Sequence, residues 1–235
     1  MKSSERTSAA SPSQVIALAR RYGVTANGSS GEQVRLTQSG TLRFDPTVPW
    51  MPFRAMQTRS NAHCEFVSRA RIGPFGFITL TEALERTGPR LNAVLLGGIP
   101  LVGAPVEAAL TKGELQQYLG ELPHAPDAIL RNPALRWQVL GPKRIKVSAT
   151  HEGVSAQVIL QLGANGLIET AHASDRPRSE GKVFVERAWV GRFTDYRTHQ
   201  GRQIPFASEF VWKVDDKVER YWRGTISEWD AGGTQ

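Results

Sequence analysis

One cysteine, Cys64, is the only thiol in 235 residues. A lone thiol makes no intramolecular disulfide and offers no paired-cysteine zinc spacing, so Cys64 is expected as a small buried hydrophobe. Long apolar runs are missing too, and none approaches the ~20 residues that a bilayer-spanning helix needs. The first residues, MKSSERTSAASPS, carry Lys2 but no hydrophobic segment behind it, unlike a secretory leader. These absences predict a cytoplasmic protein with no transmembrane segment. The signatures G-x-S-x-G, H-E-x-x-H, G-x-x-x-x-G-K and G-x-G-x-x-G are also absent, which excludes the recognisable serine hydrolases, zinc peptidases and nucleotide enzymes. No strand-helix-strand alternation points to a dinucleotide fold, and neither cofactor nor metal is expected.

Acidic residues are fewer than basic ones, 22 against 29, for a net charge of +7. Such an excess suits a phosphate-rich partner when it is clustered. Here it is scattered: Arg69 with Arg71, Arg176 with Arg178, Lys143 with Arg144 and Lys146, Arg220 with Arg223. Without a longer basic run, an RNP-like aromatic motif or zinc-finger spacing, these read as a solvated surface, and no nucleic-acid partner is expected.

Hydrophobic residues make up 40% of the chain and charged residues 22%, the balance of a globular domain rather than a disordered segment. Residues 1–12 read as a disordered tail, 13–230 as a single β-rich domain and 231–235 as a second tail. After Ser13, a candidate N-cap, Val15, Leu18, Ala19 and Tyr22 recur at helical spacing up to Gly23. From Val34 to Phe44 the period becomes two, as in a half-buried strand. The segment PWMPFRAMQTRSN holds two prolines and reads as a corner between strands. Alternating runs on either side of GPFG predict an antiparallel hairpin, and RLNAVLLGG adds a strand. KGELQQYLGELPHAPDAIL, from Lys112 to Leu130, reads as an amphipathic helix that stops at Pro123.

Beyond it strands dominate. Ile145 to Ala149 and Val154 to Leu162 alternate, and Asn165-Gly166 is a strong hairpin signal. The polar stretch SDRPRSEGK after LIETAHA reads as a mobile loop. VFVERAWVGRF, ASEFVWKV and ERYWRGTISEW follow, with a turn at Asp215-Asp216. The fold class is mainly β (α+β): a curved antiparallel sheet or partial barrel of about eight to ten strands, with two or three short helices, one of them packed on the concave side.

Candidate chemistry sits on the helix and the strands. Leu115, Tyr118, Leu119 and Leu122 form one stripe, with Glu114, Gln117 and Glu121 along its edge. An anion near a helix C-terminus opposes the dipole, so Glu121 calls for a neighbouring arginine or a site. Histidine is the residue type suited to proton transfer at physiological pH, and His124 lies within reach of proton exchange with Glu121, although its ordinary reading is a surface or capping histidine. Glu82 shares a strand face with Ile78, Leu80 and Leu84; turned inward, it must be paired or protonated. Periodicity leaves open which face is buried. Glu121, Glu82 and His124 are therefore the candidate catalytic residues. Arg69, Arg71, Arg187 and Arg192 project from strands, where a cross-strand carboxylate is the usual partner and an inward guanidinium would clamp an anion. The tryptophans fall mostly on strands, where they either fill a core or line an apolar pocket. Trp50, Phe53, Tyr118, Trp137, Arg176, Arg192 and Trp212 are the candidate ligand-binding residues.

Two strings carry a resemblance: PWMPFRAMQ, with Trp50 to Gln57 as a W-x-P-F-x-A-x-Q corner, and Gly113 to Glu121 as a G-E-L-x-x-Y-L-x-E helix. Together they resemble an uncharacterised bacterial domain-of-unknown-function family, over about Gln14 to Asp230, with Glu82, Trp137 and the Arg176 loop inside the span. The resemblance implies no activity. His124 stands where that pattern has an aromatic residue, which moves weight from His124 to Glu121. The strand count is similar to that of lipoprotein-carrier half-barrels, an open sheet wrapped round a helix over an apolar cavity, and this likeness is architectural.

The function expected is binding of a hydrophobic small molecule, lipid or acyl chain in a partial-barrel cavity, by a monomer or homodimer. The alternative is a cofactor-independent isomerase, cyclase or hydrolase that uses a pocket carboxylate as general base.

Overall fold

The computed structural model describes residues 12–25, 31–95, 99–100, 107–180 and 183–232. The first expected tail, but for Pro12, and most of the last lie outside the described residues, as does much of the Gly/Pro-rich segment before the long helix. The chain begins with α1 (Pro12–Arg21) and runs outward through β1 (Gln33–Leu42), β2 (Met51–Ser60), β3 (Phe66–Ile72), β4 (Ile78–Glu85), β5 (Gly88–Leu95) and β6 (Ile99–Pro100). It crosses by α2 (Glu107–Gly120) and α3 (Ala128–Arg131). The return passes through β7 (Arg136–Gly141), β8 (Arg144–His151), β9 (Val154–Leu162), β10 (Ile168–Glu180), β11 (Val183–His199), β12 (Arg202–Val214) and β13 (Lys217–Asp230). β13 pairs antiparallel with β1. Among the described residues the result is one open sheet of 13 strands, in which two meanders join at β1 and β13 and end at β6 and β7.

The expected mainly-β class, with an antiparallel curved sheet and a helix on its concave side, stands. The strand number was too low, because β2, β6 and β7 were missed. β2 occupies the expected corner. Proline is admitted near the start of a strand: Pro52 is its second residue, opposite Thr41, and its carbonyl accepts from Gly73 N at 2.7 Å. The expected mobile loop after LIETAHA is instead the second half of β10 as far as Glu180, where Arg178 and Arg187 pair with Glu219 and Glu180 at 2.7 and 2.8 Å. Polar composition misled there because this stretch is held by ion pairs. The hairpins at GPFG, Asn165-Gly166 and Asp215-Asp216 lie where expected, with Gly166 at φ +76°.

α2 lies between the two limbs of the sheet and touches β4 and β5 on one side and β8, β9 and β10 on the other. It is not the one-faced helix that its apolar stripe suggested: Thr111, Glu114 and Gln116 are buried together with Leu110, Leu115, Tyr118 and Leu119. At its last residue, Gly120, an added Cβ would lie 2.8 Å from the Trp189 ring. A glycine is needed there for β11 to close on the helix.

The main core fills the space between α2, α1 and strands β8 to β12, with Trp189, Tyr118, Leu119, Val147 and Leu160 fully buried. Tyr22 anchors α1 by accepting from Ile168 N at 3.1 Å and bonding Tyr196 Oη at 3.0 Å. Cys64 is buried, and burial pushes its thiol up to about 11. No helix among the described residues is long and apolar enough to cross a membrane.

Candidate ligand cavity

Under α2, on the concave face, lies a cavity of about 210 Å³. Its floor comes from register. Gln57 on β2 faces Ser68 on β3, and Ser68 faces Glu82 on β4, so the three lie side by side along one row. Leu80 and Glu82 both line the cavity. The face left open by periodicity therefore turns inward. From the opposite side come Glu114 and Gln117 of α2 and, just past its last residue, Glu121, whose spacings of three and four bring them to one side.

Two β-bulges complete the wall, because a bulge lets two residues oppose one and shifts the alternation beyond it. In β10 the register slips between Ala173 and Arg176. Ala171 and Ala173 face inward before the slip, and Arg176 and Arg178 line the cavity after it. Between β12 and β13, Phe210 pairs with Trp222 and Val211 with Arg220, so Tyr221 is the extra residue. Tyr221 and Trp222, although consecutive, both line the cavity. Phe210 stacks on Trp222 with centroids 4.7 Å apart, Phe53 lies 5.3 Å from Trp222, and Trp212 stacks on Tyr221 at 5.6 Å. One wall is thus aromatic and the other is carboxylate and amide.

The buried charges are only partly matched. Arg59, with no exposed surface, donates to Glu121 Oε2 at 2.8 Å and to the Tyr118 carbonyl at 2.9 Å. This is the neighbouring arginine that Glu121 called for. Gln57 Nε2 adds a bond to the same carboxylate oxygen at 3.3 Å. Burial pushes the Glu121 carboxyl up, but Arg59, His124 and Gln57 outweigh it and hold it below the ordinary carboxyl value. A base held this way attracts a proton weakly, which argues against Glu121 as a general base.

Arg176, 7% exposed, donates to Gln117 Oε1 at 2.6 Å and lies over the rings of Trp189 and Trp212 at 4.9 and 5.5 Å. The Gln117 amide faces Glu82 with its other end. Burial raises the Glu82 carboxyl, against the pull of Arg176. Glu82 is half-buried and lines the cavity. Glu114, 4% exposed, is raised further by burial and by Glu82, and its Oε2 has no hydrogen-bond partner among the described residues.

Of the expected site residues, Glu82, Glu121, Phe53, Arg176 and Trp212 meet at this cavity. The others lie elsewhere. His124 is neither a surface nor a capping residue: it is fully buried outside the cavity wall, with Nε2 3.2 Å from Ser208 Oγ and Nδ1 3.7 Å from Glu121, too far for a hydrogen bond. Tyr118 is core, donating to the Ser60 carbonyl and accepting from Asn132. Trp137 packs on the main core from β7. Trp50 lies between the guanidinium groups of Arg43 and Arg223 near the surface. Arg192 is exposed on the convex face opposite Glu209. Gln57, Ser68, Glu114, Gln117, Tyr221 and Trp222 complete the wall and were not among the expected site residues. Period-two reading of Phe53, Ala55, Gln57 and Arg59 would have found the β2 members had the segment been taken as a strand. Among the described residues no group of three His, Cys, Asp or Glu side chains could hold a metal ion.

The architecture is similar to that of a putative outer membrane lipoprotein-sorting protein domain from Vibrio parahaemolyticus, with TM-score 0.51, 9% identity and coverage of 93% of this chain and 90% of that one. At that identity the likeness concerns the fold alone. A LolA superfamily protein from Nitrosomonas europaea matches at TM-score 0.49 and 13% identity over 94% of each chain. A DUF1329 family protein from Desulfovibrio piger matches at TM-score 0.46 and 10% identity over 93% of this chain and 89% of that one. No curated protein matches the sequence. The family model that does match spans residues 4–224, and the chain belongs to the DUF6544 family of unknown function.

Proposed function

We propose that the protein binds a small apolar or acyl-chain molecule in the cavity beneath α2. The observation that carries this reading is the cavity itself, with Phe53, Phe210, Trp212 and Trp222 on one wall, since ligand sites are concave and mostly apolar with a few placed polar groups. The fold shared with a protein named for lipoprotein sorting supports it. The size constrains the occupant. A 150 Å³ cavity holds benzene, so 210 Å³ holds about eight heavy atoms, which suits one short chain or one ring and not a multi-chain lipid anchor.

The test is titration with 1-octanol, following the emission of the cavity tryptophans. A saturable change is expected, and Leu80→Trp, which fills the cavity from β4, removes it while the fold is kept. No saturable change in the wild type would sink the reading.

A further inference from the structure

We infer that the polar end of the cavity is a receptor for a primary ammonium group, so that the ligand is a small alkyl or arylalkyl amine. This rests on the apolar-ligand reading above and names the chemistry of that ligand.

The argument starts from which charges are matched. Glu121 is engaged by Arg59 at 2.8 Å, and Arg178 is engaged by Glu219 at 2.7 Å. Arg43, at the rim, donates to the backbone carbonyls of Arg220 and Pro46 in an exposed setting. In the interior this leaves Glu82 and Glu114 facing one guanidinium, that of Arg176. Two carboxyl groups cannot both ionise cheaply in a desolvated space with a single cation. One added positive charge restores the balance.

Unpartnered atoms point the same way. Glu114 Oε2 and Gln57 Oε1 are buried acceptors on the cavity wall without a hydrogen bond among the described residues. Gln57 is 5% exposed and its Nε2 is already spent on Glu121, so the free end is the oxygen. A buried polar atom without a partner is unfavourable, and an ammonium brings three donors. On the cavity wall the corresponding unpartnered donor is Arg176 Nε, and that guanidinium is already held by Gln117, Tyr221 and two tryptophan faces. Acceptors and negative charge are in surplus, so the complementary head group is a cation. The aromatic wall then takes its hydrocarbon part.

The experiment compares octylamine, 1-octanol and octanoate by titration calorimetry at pH 8, with the wild type, Glu114→Gln and Glu82→Gln. Octylamine is expected to bind at least about tenfold more tightly than octanol, with octanoate weakest, and each variant to bring the amine-to-alcohol ratio toward one. Burial makes Glu82 and Glu114 hold a proton more tightly than ordinary carboxyls. The amine therefore displaces a proton, and its affinity rises with pH while octanol binding stays level. Glu121, Arg176, Arg178, Arg43 and Tyr221 also line this space, and Arg59 lies behind it on Glu121. Equal binding of the three probes, or tightest binding of octanoate, overturns the ammonium assignment and leaves the apolar-ligand reading standing. Failure of all three to bind overturns both. Each variant leaves the other carboxyl facing Arg176, and the melting curves report folding independently.

Discussion

Replacing Arg59 by Met tests whether the Arg59–Glu121 pair holds α2 against β2. The guanidinium is wholly buried, bonds Glu121 at 2.8 Å and the Tyr118 carbonyl at 2.9 Å, and lies 5.3 and 5.2 Å from the rings of Phe66 and Tyr118. Met keeps much of the packing but leaves Glu121 with Gln57 alone as a hydrogen-bond donor, at 3.3 Å. Stranding one member of a buried pair costs about 3–5 kcal/mol. At about 2–4 °C per kcal/mol for a chain of this size, the melting temperature should fall by roughly 6–20 °C. The pair term is isolated by a double-mutant cycle in urea, with Glu121→Gln and the double variant, reading the midpoint at constant m. The double variant should recover most of the loss, because a neutral buried pair removes the desolvated charge. The pH dependence gives a second, signed readout. In the wild type the Glu121 carboxyl is held below its ordinary value, so its contribution is present above the unfolded carboxyl range and is lost as pH falls through the lowered folded value. In Arg59→Met burial is unopposed by the arginine and the carboxyl rises, so the cost of its charge is felt as pH rises through that raised value. The gap between variant and wild type should therefore narrow on acidification. Additive single effects, or a gap that does not change with pH, would refute the assignment of Arg59 as the counter-charge of Glu121.

Two further outcomes follow from the same geometry. Glu82 and Glu114 carry carboxyls raised by burial, so their contribution to stability is complete below the unfolded carboxyl range and is lost as pH rises through the raised folded values. The ligand-free wild type should therefore melt at progressively lower temperature as pH rises above the ordinary carboxyl range toward the raised folded values, and Glu114→Gln should flatten that slope; differential scanning calorimetry against pH decides it. Gly120→Ala sets a methyl 2.8 Å from the Trp189 ring, and overpacking of this kind costs about 1–3 kcal/mol. An unchanged urea midpoint would mean that β11 and α2 have room to part.

What the sequence made legible divides along the alternation rule. Strands such as β3 and β9 keep one parity from end to end, so their inward residues can be read directly; in β4 consecutive Ala83 and Leu84 are both buried, and its carboxylate could be singled out although not oriented. The bulged strands break the rule midway. Past the slip in β10 the inward set moves from odd to even numbers, and a reader who carries the parity of Ala171 and Ala173 onward assigns Arg176 to solvent. Past the slip opposite Phe210, two adjacent aromatics face the same way, which no period-two pattern permits. β2 was hidden differently, since Pro49 and Pro52 suggest a corner until it is noticed that Pro52 falls in the strand's first turn of pairing, where a missing N–H costs little. The helix misled because its apolar stripe is real while its polar side faces the cavity instead of the outer surface. These misses share one cause. In β10, β13, β2 and α2 the departure from regular patterning brings a charged, amide or aromatic group to the cavity, as expected where local rules yield to a site. Irregularities in an otherwise regular β sequence are therefore better pointers to such a cavity than the residue types by which candidates were first chosen, and by that criterion Arg176 and Tyr221 rank above His124 and Arg192.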